Sequence, residues 1–347
     1  MKKNKYVNIR DIAKEANVSI NTVSRALNNK HDIKKETKQK IENIAKKLGY
    51  VRNTHATLLR GEKSKIIGVI TPDSSNPFFS EVYKGIERKA EESSFQIIMM
   101  NSEGQYNNEE KAVSTLLERR VDGILMFPMQ QKYNDINQLV KENFPIVIVG
   151  RKIEGWKVCE IYNDDSKGGF LATEHLIKNN CKNIFMITDN IYNTASKARI
   201  NGFIQALNKY DLKYNEKNII FCKNIHIGNH VEEGYKNCKK LLKENKDIDG
   251  IFCYNDLLAY GVIKALNEEK VKIPEKIKVV GFDDIKFSTL ITPSLSTIKV
   301  QKEKLGEDAF ALMMKILDEK IFDAEEQILD VELVVRNSTV KGANNNG

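Results

Sequence analysis

Apolar positions in the first fifty residues recur at helical spacing in three short bursts. Ile9, Ile12, Ala13 and Ala16 form the first, with Asn8 where an N-cap belongs and Asp11 three residues on, a variant of the capping box. Asn17-Val18-Ser19 reads as a tight turn, and Ser19 is placed to cap a second burst carrying Val23, Ala26 and Leu27. After a polar loop over 28–35, Ile41, Ile44, Ala45 and Leu48 make a third, stopped by Gly49. Two short helices joined by a tight turn and braced by a third is a helix-turn-helix pattern.

Beyond a short polar linker, Arg60 to Lys65, the pattern changes. Buried-strand runs are predicted at Ile66–Thr71, Phe95–Asn101, Gly123–Phe127, Ile146–Val149, Asn183–Thr188, Ile219–Cys222, Gly250–Tyr254 and Lys278–Phe282. Amphipathic stretches lie between them, at Phe78–Ser93, Glu109–Arg119, Gly168–Lys178, Arg199–Lys209, Glu232–Lys243 and Leu257–Glu268. Strand and helix in alternation predict parallel, doubly wound sheets. Gln327–Ser338 alternates as a terminal strand would, and the last residues, 341–347, are expected to be a disordered tail.

Charge divides along the same line. Residues 1–65 hold 17 lysines and arginines against 6 acids, a surplus of eleven, while the remainder holds 38 against 41. A cationic head on a slightly acidic body points to a polyanion partner; a solvated lysine-rich surface is the bland alternative. No apolar run reaches the roughly 20 residues needed to cross a bilayer. The basic start, Met1-Lys2-Lys3-Asn4-Lys5, leads into no apolar signal core, so the expected address is the cytoplasm and no membrane partner is expected. Five scattered cysteines without a Cys-x-x-Cys pair suit a reducing compartment, as buried thiols.

The second helix of such a head enters the DNA major groove. Its outward residues here are Ile20, Asn21, Thr22, Ser24 and Arg25. Asn can bond adenine bidentately and Arg guanine, while Ile and the Thr methyl can meet a thymine methyl. In the body, ligands are expected at the carboxyl ends of the strands. There Phe78 and Phe79 offer flat faces for a ring, Arg199 a fork of donors, and Asp256 and Asp283 acceptors for hydroxyls. Either Phe could instead be core, and Asp256 could simply cap a helix.

Several signals lead nowhere. No Gly-x-Gly-x-x-Gly or phosphate-cradling Gly-Lys-Ser/Thr motif is present. Ser296-x-x-Lys299 has the spacing of a serine acylase but lacks its partner motifs and lies in a strand-like run. His226 and His230 flank Gly228 and Asn229, a loop rather than a helical metal pair, and His175 is expected to be solvated. No catalytic constellation, cofactor or metal is expected.

The segments Ile9-Arg10-Asp11-Ile12-Ala13-Lys14-Glu15-Ala16-Asn17-Val18-Ser19, Thr22-Val23-Ser24-Arg25-Ala26-Leu27-Asn28 and Leu48-Gly49-Tyr50 with Asn53 resemble the head of the lactose-repressor/galactose-repressor family. The body continues the resemblance through Asn76-Pro77-Phe78-Phe79, Val121-Asp122-Gly123-Ile124, Arg199-x-x-Gly202-Phe203, Asn255-Asp256 and Val279-Val280-Gly281-Phe282-Asp283-Asp284. The resemblance implies an N-terminal all-α helix-turn-helix head (1–52), a hinge helix and linker (53–61), and a body (62–340) of two periplasmic-binding-protein-like α/β lobes. The lobes are expected to exchange strands, 62–162 plus 292–325 against 163–291 plus 326–340. It further implies base reading by Ile20, Asn21 and Arg25 and phosphate contacts from Ser19, Thr22, Ser24, Asn28 and Tyr50. Asn53, expected among the DNA-binding residues, begins the hinge segment, in which Leu59 is wedged into the minor groove.

For the body, the resemblance implies that Phe78, Phe79, Arg199, Asp256 and Asp283, joined by Asp164, touch a small-molecule effector between the lobes. The expected protein is a homodimeric, effector-controlled repressor of an operator duplex, not an enzyme. Asn229 replaces an aromatic residue found in several relatives, which favours a sugar over a purine. Other departures are Arg52 for a proline, His55 and Thr57 in the hinge, and Lys34 where the third helix usually has a capping Ser. A transport solute-binding protein and a sugar-acting enzyme remain rival readings of the body alone.

Overall fold

The computed structural model describes residues 7–27, 33–50, 63–129, 132–153, 155–189, 193–222, 228–244, 247–319 and 324–343. The chain divides into two compact units, Met1–Ser64 and Lys65–Gly347. The hinge expected over 53–61, with Asn53 and Leu59, and Asn28 of the head lie outside the described residues.

Among the described residues, the first unit holds three helices: α1 (Ile9–Ala16), α2 (Ile20–Leu27) and α3 (Lys35–Leu48). Asn8 and Asp11 form a reciprocal capping box, so two N–H groups that α1 cannot satisfy internally find partners. Asn17 ends α1 in the left-handed region, at φ 55°, where Asn is better tolerated than most residues. Ile12, Ala13, Ala16, Val23, Ala26, Ile41 and Ala45 form one core cluster, so the three apolar stripes converge. Lys34 contributes no side-chain cap to α3, as its chemistry dictates, and Gly49 closes that helix at φ 67°.

The second unit holds two six-stranded sheets among the described residues. The first has the order β11-β5-β4-β3-β1-β2, from β1 (Ile66–Thr71), β2 (Gln96–Asn101), β3 (Gly123–Met126), β4 (Ile146–Val149), β5 (Cys159–Asn163) and β11 (Glu326–Leu329). The second has the order β12-β10-β9-β8-β6-β7, from β6 (Ile184–Thr188), β7 (Ile219–Phe221), β8 (Gly250–Cys253), β9 (Lys278–Asp283), β10 (Ser296–Lys299) and β12 (Glu332–Val334). Only β12 runs antiparallel to its neighbour in these ladders, against β10. The helices that cover the sheets are α4 (Pro77–Glu92), α5 (Tyr106–Glu118), α6 (Asn134–Lys141), α7 (Asp165–Lys178), α8 (Thr194–Lys209), α9 (His230–Glu244), α10 (Asp256–Glu268) and α11 (Lys302–Glu319).

The strand exchange falls at different places from those expected. Ser296–Lys299 pairs with β9, so the chain stays in the second lobe past residue 292 and returns to the first with α11. Glu326–Leu329 pairs with β5 in the first sheet, and only from Glu332 does the chain rejoin the second. The single terminal strand expected over Gln327–Ser338 is therefore two short strands in different sheets. Of the tail, Lys341 is described and pairs with Glu275 at 3.0 Å, which corrects the expectation that disorder begins there.

Each lobe carries its own apolar core, and Phe78 packs against clusters of both. The helix pair α7 and α8 packs backbone to backbone. A Cβ on Gly202 would lie 2.0 Å from the Ser166 carbonyl oxygen, and one on Gly169 2.2 Å from that of Arg199. Only glycine permits this approach, which fixes how α8 presents Arg199.

Candidate functional site

In the head, α2 leaves Ile20 43% exposed, and Asn21 and Arg25 are exposed on the same helix. Val23 and Ala26 are buried beneath them, so the polar face is held outward by the core. Ser19 Oγ accepts from the Thr22 backbone N–H at 3.0 Å and shares a hydrogen bond with the Thr22 hydroxyl at 2.8 Å. These bonds set the start of α2, the end whose side chains meet base edges in a helix-turn-helix reader. Tyr50 packs half-buried against the same core.

In the body, a cavity of about 70 Å³ lies where the carboxyl ends of both sheets face each other. The first lobe contributes Asp73, Asn76, Phe78 and Phe79 after β1, Phe127 and Met129 after β3, Arg151 after β4 and Asn163 at the end of β5. The second contributes Asp189 after β6, Arg199 from α8, His230 from α9, Tyr254 and Asn255 after β8, and Asp283 at the end of β9. Phe78 and Phe79 meet edge to face at 5.1 Å, and Phe79 meets Phe127 the same way at 5.2 Å. The three rings make one apolar wall.

Opposite stands Arg199, 5% exposed. Its Nε donates to Asp165 Oδ1 at 2.8 Å, its Nη1 donates to the Tyr254 carbonyl, and its Nη2 lies 3.9 Å from Asp283 Oδ1. The guanidinium carbon sits 3.5 Å from the Phe282 ring centre. Asp283 itself adopts φ 104°, a region that non-glycine residues rarely occupy and that concentrates at ligand sites. Burial pushes its carboxyl up to about 8, against the opposing pull of Arg199. Lys302, buried in α11, donates to the backbone carbonyls of Asp283 at 2.6 Å and Asp284 at 2.8 Å and lies 3.6 Å from Glu81. A first-lobe lysine thus holds the second-lobe strand end in place.

Four of the six residues expected at an effector line this cavity: Phe78, Phe79, Arg199 and Asp283. Asp164 and Asp256 do not. Asp164 caps α7, accepting from the Lys167 N–H at 2.9 Å, and borders a separate groove. Asp256 is fully buried and accepts from the Ile285 N–H at 2.9 Å, Ser288 Oγ at 2.7 Å and Thr297 Oγ1 at 2.5 Å, bracing the loop after β9. Of their neighbours, Asn255 lines the cavity, whereas Asp165 reaches it only through Arg199.

The first unit matches the model of bacterial regulatory proteins of the lacI family over residues 8–53. Residues 64–336 match the model of periplasmic binding proteins and the sugar-binding domain of that family. The chain belongs to the LacI family. It is an effector-controlled, DNA-binding regulator of transcription. Among LacI-family relatives, the transcriptional regulator DegA of Bacillus subtilis is 31% identical over 95% of this chain and 97% of its own. The ribose operon repressor of Halalkalibacterium halodurans is 31% identical over 97% and 98%. These relatives are regulators, not enzymes. A lac repressor dimer bound to operator superposes with a TM-score of 0.86 at 23% identity, covering 97% of this chain and 100% of that one. A LacI-family regulator from Enterococcus faecium with bound ribose gives 0.69 at 29% identity, over 80% and 99%.

Family motifs gain physical roles here. In Arg199-x-x-Gly202-Phe203, Arg199 faces the cavity, Gly202 admits α7, and Phe203 is fully buried in the core. Residues that sequence reasoning missed in this LacI-family cavity include Arg151, Asn163, Asp189 and Asn255, each set just after or at a strand end. Behind Met129, Glu109 Oε2 accepts from its N–H at 2.8 Å, and Tyr106 donates to nearby Asp135 at 3.3 Å. Burial, then the Asp135 charge, push Glu109 up to about 8, so this carboxyl pair holds a proton at neutral pH. His175 is not solvated as expected. Its Nε2 shares a hydrogen bond with Thr339 Oγ1 at 2.8 Å, and burial lowers its pKa to about 4. The five cysteines are buried thiols, with burial pushing Cys181, Cys222 and Cys238 up to about 12. His226 lies outside the described residues, and no metal-holding cluster occurs among the described ones. Among the described residues, no helix is long and apolar enough to cross a membrane.

Proposed function

We propose that this chain is a cytoplasmic, homodimeric repressor that reads a roughly palindromic operator duplex and is controlled by a sugar or sugar derivative bound between its lobes. Ile20, Asn21 and Arg25 read bases, while Ser19, Thr22, Ser24, Asn28 and Tyr50 contact phosphates. Asn53 to Leu59 form the hinge, with Leu59 inserted in the minor groove. The observation that carries the effector half is the cavity itself: a wall of three rings faces Arg199 and Asp283 across two sheets. Aromatic faces with convergent polar groups are the arrangement that binds a sugar ring.

The bound ribose of the Enterococcus faecium regulator and the ribose operon repressor support this choice of ligand class. Phe78, Phe79, Arg199 and Asp283 take part in binding. Occupancy shifts the angle between lobes only by the ligand's differential affinity for two states, a hundredfold difference being worth about 2.7 kcal/mol. The test is a thermal-shift screen of the full chain against sugars, sugar phosphates and nucleobases, followed by duplex binding with and without each hit. A sugar that raises the melting temperature and changes operator affinity is the expected result. A hit list of nucleobases alone would sink the sugar assignment.

A further inference from the structure

Asn163 is 3% exposed and is the last residue of β5, directly before the chain crosses from the first lobe into α7. Asn163 lines the cavity and also the neighbouring groove, and its Oδ1 is buried with no hydrogen-bond partner among the described residues. A buried acceptor left unmade costs about 1–3 kcal/mol. Native structures rarely keep such a group without a use, and an entering donor is the simplest one.

The rest of the wall narrows the donor's chemistry. The cationic side chains are already engaged: Arg199 with Asp165 and the Tyr254 carbonyl, and Arg151 through its Nη1 with the Pro128 carbonyl. Among lining residues, these two arginines are balanced by Asp73 and Asp189, while burial favours the neutral form of Asp283. An anion entering here would find no surplus positive charge to offset its desolvation. The cavity of about 70 Å³ has room for roughly five water-sized spheres, the footprint of one small ring.

We propose that Asn163 is a specificity-determining residue of this cavity. Its Oδ1 accepts a hydroxyl hydrogen from an uncharged, monosaccharide-sized ligand, and the phosphorylated form of the same sugar is rejected. This inference rests on the reading of the cavity as the effector site. Because Asn163 ends the strand that leads into the other lobe, a ligand bonded there is held at the crossover itself.

The test uses the full chain with neutral sugars (ribose, glucose, galactose, fructose), their matched phosphates, and hypoxanthine and guanine, with affinities from calorimetry. At least one neutral sugar is expected to bind at least tenfold more tightly than its phosphate. Asn163→Ala is expected to weaken that sugar at least tenfold, while Asn163→Asp, which keeps an acceptor, stays within about threefold of the parent. A phosphate that outbinds its neutral sugar overturns this inference but leaves the cavity as an effector site. So does an alanine variant with parental sugar affinity. A nucleobase as the sole ligand overturns it as well. If no compound binds the parent protein, the sugar reading of the cavity falls and this inference with it. Should the alanine variant fail to fold, the Asn163→Asp variant decides alone: its preference for neutral sugar over phosphate must rise, and an unchanged or reduced preference overturns the inference.

Discussion

Replacing Arg199 by Met keeps most of the side-chain volume and removes the charge. Asp165 and Asp283 are then left 5% and 6% exposed with no guanidinium between them. Breaking a buried pair by removing one partner typically costs about 3–5 kcal/mol. The structure gives a way to bound that figure. Asp283 is already pushed up to about 8, so near pH 7 it can stay protonated at little further cost. Asp165 must take up a proton whose ordinary pKa is 3.8. At about 1.4 kcal/mol per pH unit, that is at most roughly 4 kcal/mol near pH 7 and about 2 near pH 5.5.

The sign is fixed. Without Arg199 the folded carboxyl rises further above its unfolded value, so the penalty is small at acid pH and grows as pH rises. At about 2–4 °C per kcal/mol, Arg199→Met should lower the melting temperature by up to roughly 8–16 °C near pH 7 and about half as much near pH 5.5, each relative to the parent. Scanning calorimetry at the two pH values measures this, and adding Asp165→Asn should recover a substantial part of the loss near pH 7. A variant within about 2 °C of the parent at both pH values would refute the claim that Arg199 is the counter-charge of a buried acid pair.

Other consequences follow from single contacts. Gly202→Ala sets a Cβ 2.0 Å from the Ser166 carbonyl oxygen, so α7 and α8 must separate. Denaturant titration should show a loss of about 1–3 kcal/mol or more, and parental stability would disprove the close approach. Glu109 holds its proton up to about pH 8, and a carboxyl raised by folding contributes stability that is lost as pH rises toward that value. Glu109→Gln should therefore flatten the decline in melting temperature between about pH 5 and pH 8, whereas an unchanged slope would assign that decline elsewhere. Leu59→Ala should leave the fold intact and weaken operator binding more than tenfold in a gel-shift titration; equal affinity would remove the minor-groove wedge from the account.

Much of the fold was legible because parallel strands buried on both faces read as continuous apolar runs. The run Ile66–Thr71 matches its strand residue for residue, and the caps at Asn8 and Ser19 follow from side-chain chemistry alone. β5 was missed because Cys159–Asn163 carries Glu160 and Asn163, and Glu160 is buried only by accepting the Ile153 N–H at 2.8 Å. The strand exchange left no local trace, since β11 and β5 pair residues more than 160 positions apart.

The two misplaced aspartates have a common cause. Each aspartate and its neighbour sit where a strand has ended and a helix begins, and one residue of the pair caps that helix, so residue type alone does not say which of the two faces the cavity. Asp256 was chosen where its neighbour Asn255 lines the cavity, and Asp164 where its neighbour Asp165 pairs with Arg199 behind it. Nor could spacing reveal that Lys302, far along the chain, would hold the carbonyls of Asp283 and Asp284.

The central claim, a DNA reader under the control of a two-lobed receptor, is tested most directly by selecting bound duplexes from a random-sequence library with the full chain at low ionic strength. The account predicts enrichment of a two-half-site palindrome, lost in the Asn21→Ala/Arg25→Ala variant and weakening steeply as salt is added. If the library emerges unenriched and the parent protein retains no duplex at any salt concentration, the account is contradicted.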